Sequence, residues 1–482
     1  MLSVRINSAG YNESEKILNN ISFDAESGKL ILIGGHSGSG KTTLLFAITG
    51  VLTSLLKGWA DGKVIYRSTD ILKLDEPLSF SGKIFGFVLQ DPDRQLLMPT
   101  PFDEVMFTLE NFGFEESEAK KKTENLLETF GLKKKMFEHV ENLSGGEKRR
   151  LSLASAIAHD PPIIIFDEPT ASLDPWGIND VRNFIASEIR MGKSIIVVEH
   201  KVKYFIDMAS ELIVLGKNSD TTYFKDITIS PEFLEKLDSL GVDSYPVSET
   251  KKKKDENRRE KILEMRGVEC WYDESDYILR NIDLDLRRGE VVALVGPNGS
   301  GKTTLLKTIA GFHKKYSGEI KIYAERKNVK PFYVPQVPDY LFIKNTLKEE
   351  LEFLSKKTGK RKDELIALLD FYESRKNSSP YTLSLGQRRW LSAVIAWSYE
   401  PSIVLFDEPT VGLDKFMLFD FFSNVIKLKE KGTSFLISTH DPRVLSEIAD
   451  RAYATYNGSI KEVDPIDEAK KLETISGVSH GA

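Results

Sequence analysis

Gly35-His36-Ser37-Gly38-Ser39-Gly40-Lys41-Thr42 decides how the rest of the chain is read, because Gly296-Pro297-Asn298-Gly299-Ser300-Gly301-Lys302-Thr303 repeats it in the second half. Each stretch follows an apolar strand pattern (Leu30 to Ile33, Val291 to Val295) and opens a helical one (Thr43 to Thr49, Thr304 to Ala310). Gly50 and Gly311 stand where a left-handed helix stop belongs. In that setting the glycines let backbone N–H groups converge on phosphate oxygens, the lysine reaches the β- and γ-phosphates, and the threonine hydroxyl ligates Mg2+. A Gly/Ser-rich turn can match such a pattern by accident. Two matches, each between a strand and a helix, leave that explanation little room. The pattern predicts nucleoside triphosphate binding at two places.

Further landmarks recur in the same order. Gln90 answers to Gln336, Leu143-Ser144-Gly145-Gly146-Glu147 to Leu383-Ser384-Leu385-Gly386-Gln387, Phe166-Asp167-Glu168-Pro169-Thr170 to Phe406-Asp407-Glu408-Pro409-Thr410, and His200 to His440. The serine of the first motif precedes the acidic pair's glutamate by 24 residues in both halves, and that glutamate precedes the histidine by 32 in both. From loop lysine to glutamine the count is 49 against 34, which places an insertion near residues 51–82 of the first copy. Two divergent copies of one domain explain this better than a solenoid, whose period is far shorter. The predicted organisation is a domain over 1–247, a charged linker over 248–260 and a second domain over 261–482.

Composition narrows the class. The chain has 482 residues, enough for several cores, and a formal net charge of −6. No global field draws it to nucleic acid or acidic headgroups. One cysteine, Cys270, excludes an internal disulfide and argues against zinc or iron–sulfur sites. No stretch approaches the ~18 apolar residues that cross a bilayer, and Met1-Leu2-Ser3-Val4-Arg5-Ile6 reads as a strand rather than a signal segment. The run Lys251 to Lys261 is charge-dense, mixed in sign and without aromatic platforms, so it reads as a solvated linker rather than a nucleic-acid arm. Within the harder region 218–249, Pro231 to Leu240 has the pattern of a short helix.

Alternating apolar strands and amphipathic helices predict an α/β fold, with a parallel sheet in each copy and ligand gathered at the strands' carboxyl ends. Asp167 and Asp407 close buried strands, where a carboxylate can hold Mg2+ through its waters beside the loop threonine. Glu168 and Glu408 follow and can orient a water attacking the γ-phosphorus. A salt-bridged or capping pair is the alternative for an isolated Asp-Glu; a phosphate loop in both halves weakens it. His200 and His440 end the next strand and can contact the γ-phosphate or orient glutamate and water. Ser144 and Ser384 open S-x-x-E/Q capping boxes, which start a helix and also make an anion site.

This set of residues resembles the ATP-binding-cassette ATPases over nearly the whole chain, twice. The resemblance implies two tandem P-loop cassettes, each with a mainly parallel core, an antiparallel β part and a helical subdomain, using ATP and Mg2+. In that family two cassettes face head to tail, so that each ATP lies between one phosphate loop and the other cassette's signature. One site would then use Gly35 to Thr43 (His36, Ser37, Gly38, Ser39, Gly40, Lys41 and Thr42 included), Gln90, Glu168 and His200 against Ser384 and Gly386. The other would use Gly296 to Thr304 (Pro297, Asn298, Gly299, Ser300, Gly301, Lys302 and Thr303 included), Gln336, Glu408 and His440 against Ser144, Gly145 and Gly146. The implied metal sets are Thr42, Gln90 and Asp167, and Thr303, Gln336 and Asp407. Tyr11 and Tyr272 hold the family's adenine-stacking position. Leu385 departs from the family, replacing the signature's first glycine, and predicts a weaker hydrolase at the site containing Lys41.

The segment Phe87-Val88-Leu89-Gln90-Asp91-Pro92-Asp93-Arg94-Gln95, with Phe102 to Phe107 after it, is similar to energy-coupling-factor ATPases of micronutrient importers, as are Gly35-His36 and Val197-Val198-Glu199-His200. Val334-Pro335-Gln336-Val337-Pro338-Asp339-Tyr340 is a looser version. That resemblance implies an import ATPase at the cytoplasmic face of the membrane, docked on a transmembrane scaffold subunit that holds a substrate-capture subunit, with no nucleic-acid partner. The alternative is a soluble double cassette acting on ribosomes or nucleic acid. The basic helical linker, cysteine cluster and coiled-coil insertion of those proteins are missing from the sequence.

Overall fold

The computed structural model describes residues 1–12, 16–36, 38–171, 173–216, 220–242, 260–272, 277–323, 331–413 and 415–478. They form two units, one of residues 1–242 with 476–478 and one of residues 260–475. The linker predicted over 248–260 lies outside the described residues except for Glu260, and Ser37 also lies outside them.

In the first unit β1 (Leu2–Gly10), β2 (Leu18–Ala25), β4 (Trp59–Tyr66) and β5 (Thr69–Asp70) form an antiparallel sheet ordered β2-β1-β4-β5. The core sheet comprises β3 (Leu30–Gly35), β6 (Phe85–Val88), β7 (Ile163–Asp167), β8 (Ser194–Val198), β9 (Glu211–Leu215) and β10 (Thr221–Lys225). Its order is β6-β7-β8-β3-β9-β10, parallel throughout except for the β9–β10 edge. The helices Pro101–Asn111, Glu116–Thr129 and Gly145–Ile157 share a core cluster of their own around Val105, Leu127 and Leu151.

The second unit repeats the plan. β11 (Lys261–Trp271), β12 (Tyr277–Arg287) and β14 (Tyr316–Ile322) form the antiparallel sheet. β13 (Val291–Val295), β15 (Phe332–Val334), β16 (Ile403–Asp407), β17 (Ser434–Ser438), β18 (Arg451–Tyr456) and β19 (Ser459–Val463) form the core sheet, ordered β15-β16-β17-β13-β18-β19. The order matches the first unit strand for strand. The stretch between residues 51 and 84 holds the first unit's extra material, including β5 and the helix Pro77–Ile84.

Continuous apolar runs dictate these core strands. Ile163, Ile164, Ile165 and Phe166 are all buried, as expected for a parallel strand covered on both faces. Each such side chain contributes roughly 1.5–3 kcal/mol on burial, enough together to carry a strand that ends on the buried carboxylate of Asp167. Gln90 and Gln336 each lie two residues beyond an edge strand, β6 and β15. The predicted short helix forms over Pro231–Ser239, capped by the Ser230 hydroxyl. Among the described residues no helix is long and apolar enough to cross a membrane.

Candidate functional site

Both phosphate loops join a core strand to a helix, Lys41–Ile48 after β3 and Lys302–Ile309 after β13. The lysine is itself the first helical residue, two positions before the predicted start. Gly40 and Gly301 cap these helices in the left-handed conformation, at φ 92° and 95°. At Gly35 (φ 150°) an added Cβ would lie 2.5 Å from the Leu215 carbonyl oxygen, so only glycine brings the loop this close to β9. Lys41 Nζ donates to the carbonyls of Gly35 (3.0 Å) and His36 (2.9 Å), and Lys302 Nζ to those of Gly296 (2.8 Å) and Pro297 (3.1 Å). The Tyr11 and Tyr272 hydroxyls each lie 3.4 Å from the Oγ1 of Thr43 and Thr304, at the helix start beyond the lysine.

At the ends of β7 and β16 the acidic pairs face these loops. Thr42 Oγ1 donates to Asp167 Oδ2 at 3.4 Å, and Thr303 Oγ1 to Asp407 Oδ1 at 3.1 Å. Burial first, and then the Glu168 charge, push the Asp167 carboxyl up to about 6. Its Oδ1 is buried without a hydrogen-bond partner. A threonine hydroxyl beside a desolvated carboxylate with an unsatisfied oxygen fits a hydrated Mg2+.

Glu168 and Glu408 adopt left-handed backbone, φ 48° and 50°, uncommon outside glycine and asparagine. Their N–H groups donate to the carbonyls of Val198 (2.9 Å) and Ser438 (3.0 Å) on the next strand. Each meets its histidine, at 2.8 Å from His200 Nε2 to Glu168 and 3.0 Å from His440 Nε2 to Glu408. Burial works against the Glu168 charge, but the hydrogen bond and charge of His200 outweigh it and leave the carboxyl below its usual range. Burial instead pushes Glu408 up to about 7, and holds His440 well below its ordinary value, so that histidine lends no charge.

The two glutamines differ. Gln90 Nε2 donates to Glu168 Oε2 at 2.7 Å, whereas Gln336 is exposed. Ser144 and Ser384 start the helices Gly145–Ile157 and Leu385–Ser398 with complete capping boxes. Leu385 leans on its own unit; a Cβ placed on Gly412 would lie 3.2 Å from its side chain.

Several further side chains shape the site. Arg149, buried in the first signature helix, donates to the Leu89 (2.6 Å) and Pro169 (2.7 Å) carbonyls, tying that helix to the residues flanking Gln90 and Glu168. Arg389, in the second signature helix, donates instead to the carbonyl of the glutamate itself, Glu408. Glu199 accepts from the backbone N–H of Thr170 (2.9 Å) and of His200 (3.0 Å), fixing both ends of the acid–histidine contact. An acidic residue closing an all-apolar strand is the signal that could have found it. Tyr333 and Ser438 donate to Asp407, at 3.1 and 2.6 Å.

The sequence profile of the family described as ABC transporter matches residues 18–171 and 279–411. A protein of Saccharolobus solfataricus, provisionally named as an ABC transporter ATP-binding protein, is 31% identical over 95% of this chain and 92% of its own length. A protein of Bacillus subtilis, provisionally named HMP/thiamine import ATP-binding protein YkoD, is 30% identical over 93% of this chain and 89% of its own. Among solved structures, the archaeal ribosome recycling factor aABCE1, determined in complex with the ribosomal stalk protein aP1, superposes with a TM-score of 0.66 at 20% identity. It covers 98% of this chain and 92% of its own, a likeness of fold.

Proposed function

This chain is a double-cassette member of the ABC transporter family and an ATP-hydrolysing enzyme, and from that premise we propose that it powers an importer of the energy-coupling-factor type. Its ATP would be hydrolysed to ADP and phosphate to drive uptake of a vitamin, a vitamin precursor or a cobalt or nickel ion through separate membrane subunits. Tyr11 and Tyr272 stack on adenine, and the loop amides with Lys41 and Lys302 hold the phosphates. Thr42, Gln90 and Asp167, and Thr303, Gln336 and Asp407, would hold Mg2+, which would supply charge neutralisation for the phosphates. Glu168 and Glu408 aim the attacking water and accept its proton, while His200 and His440 fix those carboxylates and reach the γ-phosphate. The helix starts at Ser144, Gly145 and Gly146, and at Ser384 and Gly386, would take a γ-phosphate, so that ATP favours a closed state and hydrolysis releases it.

The observation that carries the import reading is the apolar surface that follows each glutamine. Leu97 is 71% exposed in the first unit, and Tyr340 and Ile343 are 81% and 63% exposed in the second. Ile343 and Phe353 also line a groove of about 500 Å3 rimmed by Lys344, Glu349, Glu352 and Lys356. A groove that mixes Ile343 and Phe353 with charged side chains, a few residues beyond the glutamine in sequence and flanked by exposed apolar side chains, suits the coupling helix of a transmembrane subunit, where nucleotide-driven closure can be transmitted. The import function in the Bacillus subtilis relative's name supports the same reading. The ATPase would then sit peripherally on the cytoplasmic face of the membrane. Affinity purification of the full chain from detergent-solubilised membranes tests this. A polytopic membrane protein is expected to copurify, and Tyr340→Asp with Ile343→Asp should lose it while retaining ATP binding. Sedimentation with ribosomes and no membrane partner would overturn the proposal.

A further inference from the structure

The two cation-side carboxylates end equivalent strands and have unequal surroundings. Asp167 pairs in register with Val198 and Asp407 with Ser438, while Phe87 opposite Ile165 corresponds to Tyr333 opposite Leu405. In the second unit three hydroxyls converge on one carboxylate. Ser438 Oγ and Thr303 Oγ1 donate to Asp407 Oδ1 at 2.6 and 3.1 Å, and the Tyr333 hydroxyl donates to Oδ2 at 3.1 Å. The Tyr333 ring is itself braced by Phe312, centroids 5.8 Å apart. In the first unit Thr42 alone among the described residues reaches Asp167, at 3.4 Å, and Oδ1 has no hydrogen-bond partner among them. Phe87 and Val198 have no side-chain donor to offer.

We propose that Tyr333 and Ser438 are positioning residues that fix Asp407 for Mg2+ before the cation arrives, and that the first unit, lacking both, binds Mg2+–nucleotide with a higher Mg2+ requirement. The inference rests on reading Asp167 and Asp407 as the cation-side carboxylates. A carboxylate already held by neighbouring donors loses no rotamer freedom when a hydrated cation engages it, and such outer partners are worth about 10–100-fold in metal affinity. Asp167 has to be ordered by the cation itself. The asymmetry acts on the cation and leaves the adenine and phosphate contacts alone.

The test uses the full chain with one loop silenced at a time, and binding of a fluorescent non-hydrolysable ATP analogue measured in EDTA and across a Mg2+ titration. In a Lys41→Ala background, Tyr333→Phe should raise the Mg2+ midpoint about tenfold and leave the affinity in EDTA unchanged. In a Lys302→Ala background, Phe87→Tyr should lower the midpoint. If Tyr333→Phe leaves the midpoint unmoved while Asp407→Asn shifts it, the inference fails and the reading of Asp407 stands. If Asp407→Asn moves nothing either, both fail. An equal loss with and without Mg2+ would make Tyr333 a packing residue and overturn the positioning role.

Discussion

Glutamine in place of each strand-end glutamate separates the halves at the level of single residues. Glu168 and Glu408 share a strand position, a left-handed backbone and a histidine within 3.0 Å. Two features around them differ. The signature proposed to face Lys41 carries Leu385 in place of glycine, and Asp167 receives one long hydroxyl bond where Asp407 receives three. On that proposed pairing both differences would weaken the site that contains Glu168. Glu408→Gln should therefore cost the greater share of ATP turnover, about tenfold or more, in a phosphate-release assay, with Glu168→Gln costing less. The opposite order would contradict the assignment of the stronger site.

The signature helices make a second contrast at the scale of the element. Both begin with a capping box, so both starts are equally well satisfied. Their second helical residues differ in surroundings. A Cβ on Gly386 would lie 2.4 Å from the Gly412 carbonyl oxygen, while one on Gly146 would have only the Arg150 guanidinium at 3.9 Å. Gly386→Ala should force the helix start away from that loop and cost roughly 1–3 kcal/mol. Thermal unfolding should show a lowered midpoint for Gly386→Ala and an unchanged one for Gly146→Ala. Equal midpoints would show that the helix start yields without cost.

Elements of this kind were legible because their signals are local. The strand–loop–helix units, the capping boxes, the helix stops at Gly50 and Gly311 and the buried strands Ile163–Asp167 and Ile403–Asp407 each sit in one short window of sequence. The supporting partners were not. Arg149 is 60 residues from Leu89, Tyr333 is 74 from Asp407, and only strand order and register bring them together. Nothing in the spacing of a lone tyrosine or arginine distinguishes such a role from ordinary packing.

For the whole molecule, the fused chain gives each unit a partner at high effective concentration. If both nucleotides contribute to closure, Lys41→Ala and Lys302→Ala should each reduce ATP turnover of the purified chain far below half that of the unsubstituted one. A rate near that of the unsubstituted chain from Lys41→Ala, which silences the weaker site, would show that the units fire independently. The buried acids at the strand ends add a consequence of their own. Asp167 and Glu408 are each kept from water and pushed toward protonation by it, and Glu168 and Glu408 are bent into backbone that their side chains disfavour. A doubly charged cation arriving with its nucleotide would favour the ionised form of these buried acids, so loading should also toughen the protein against heat.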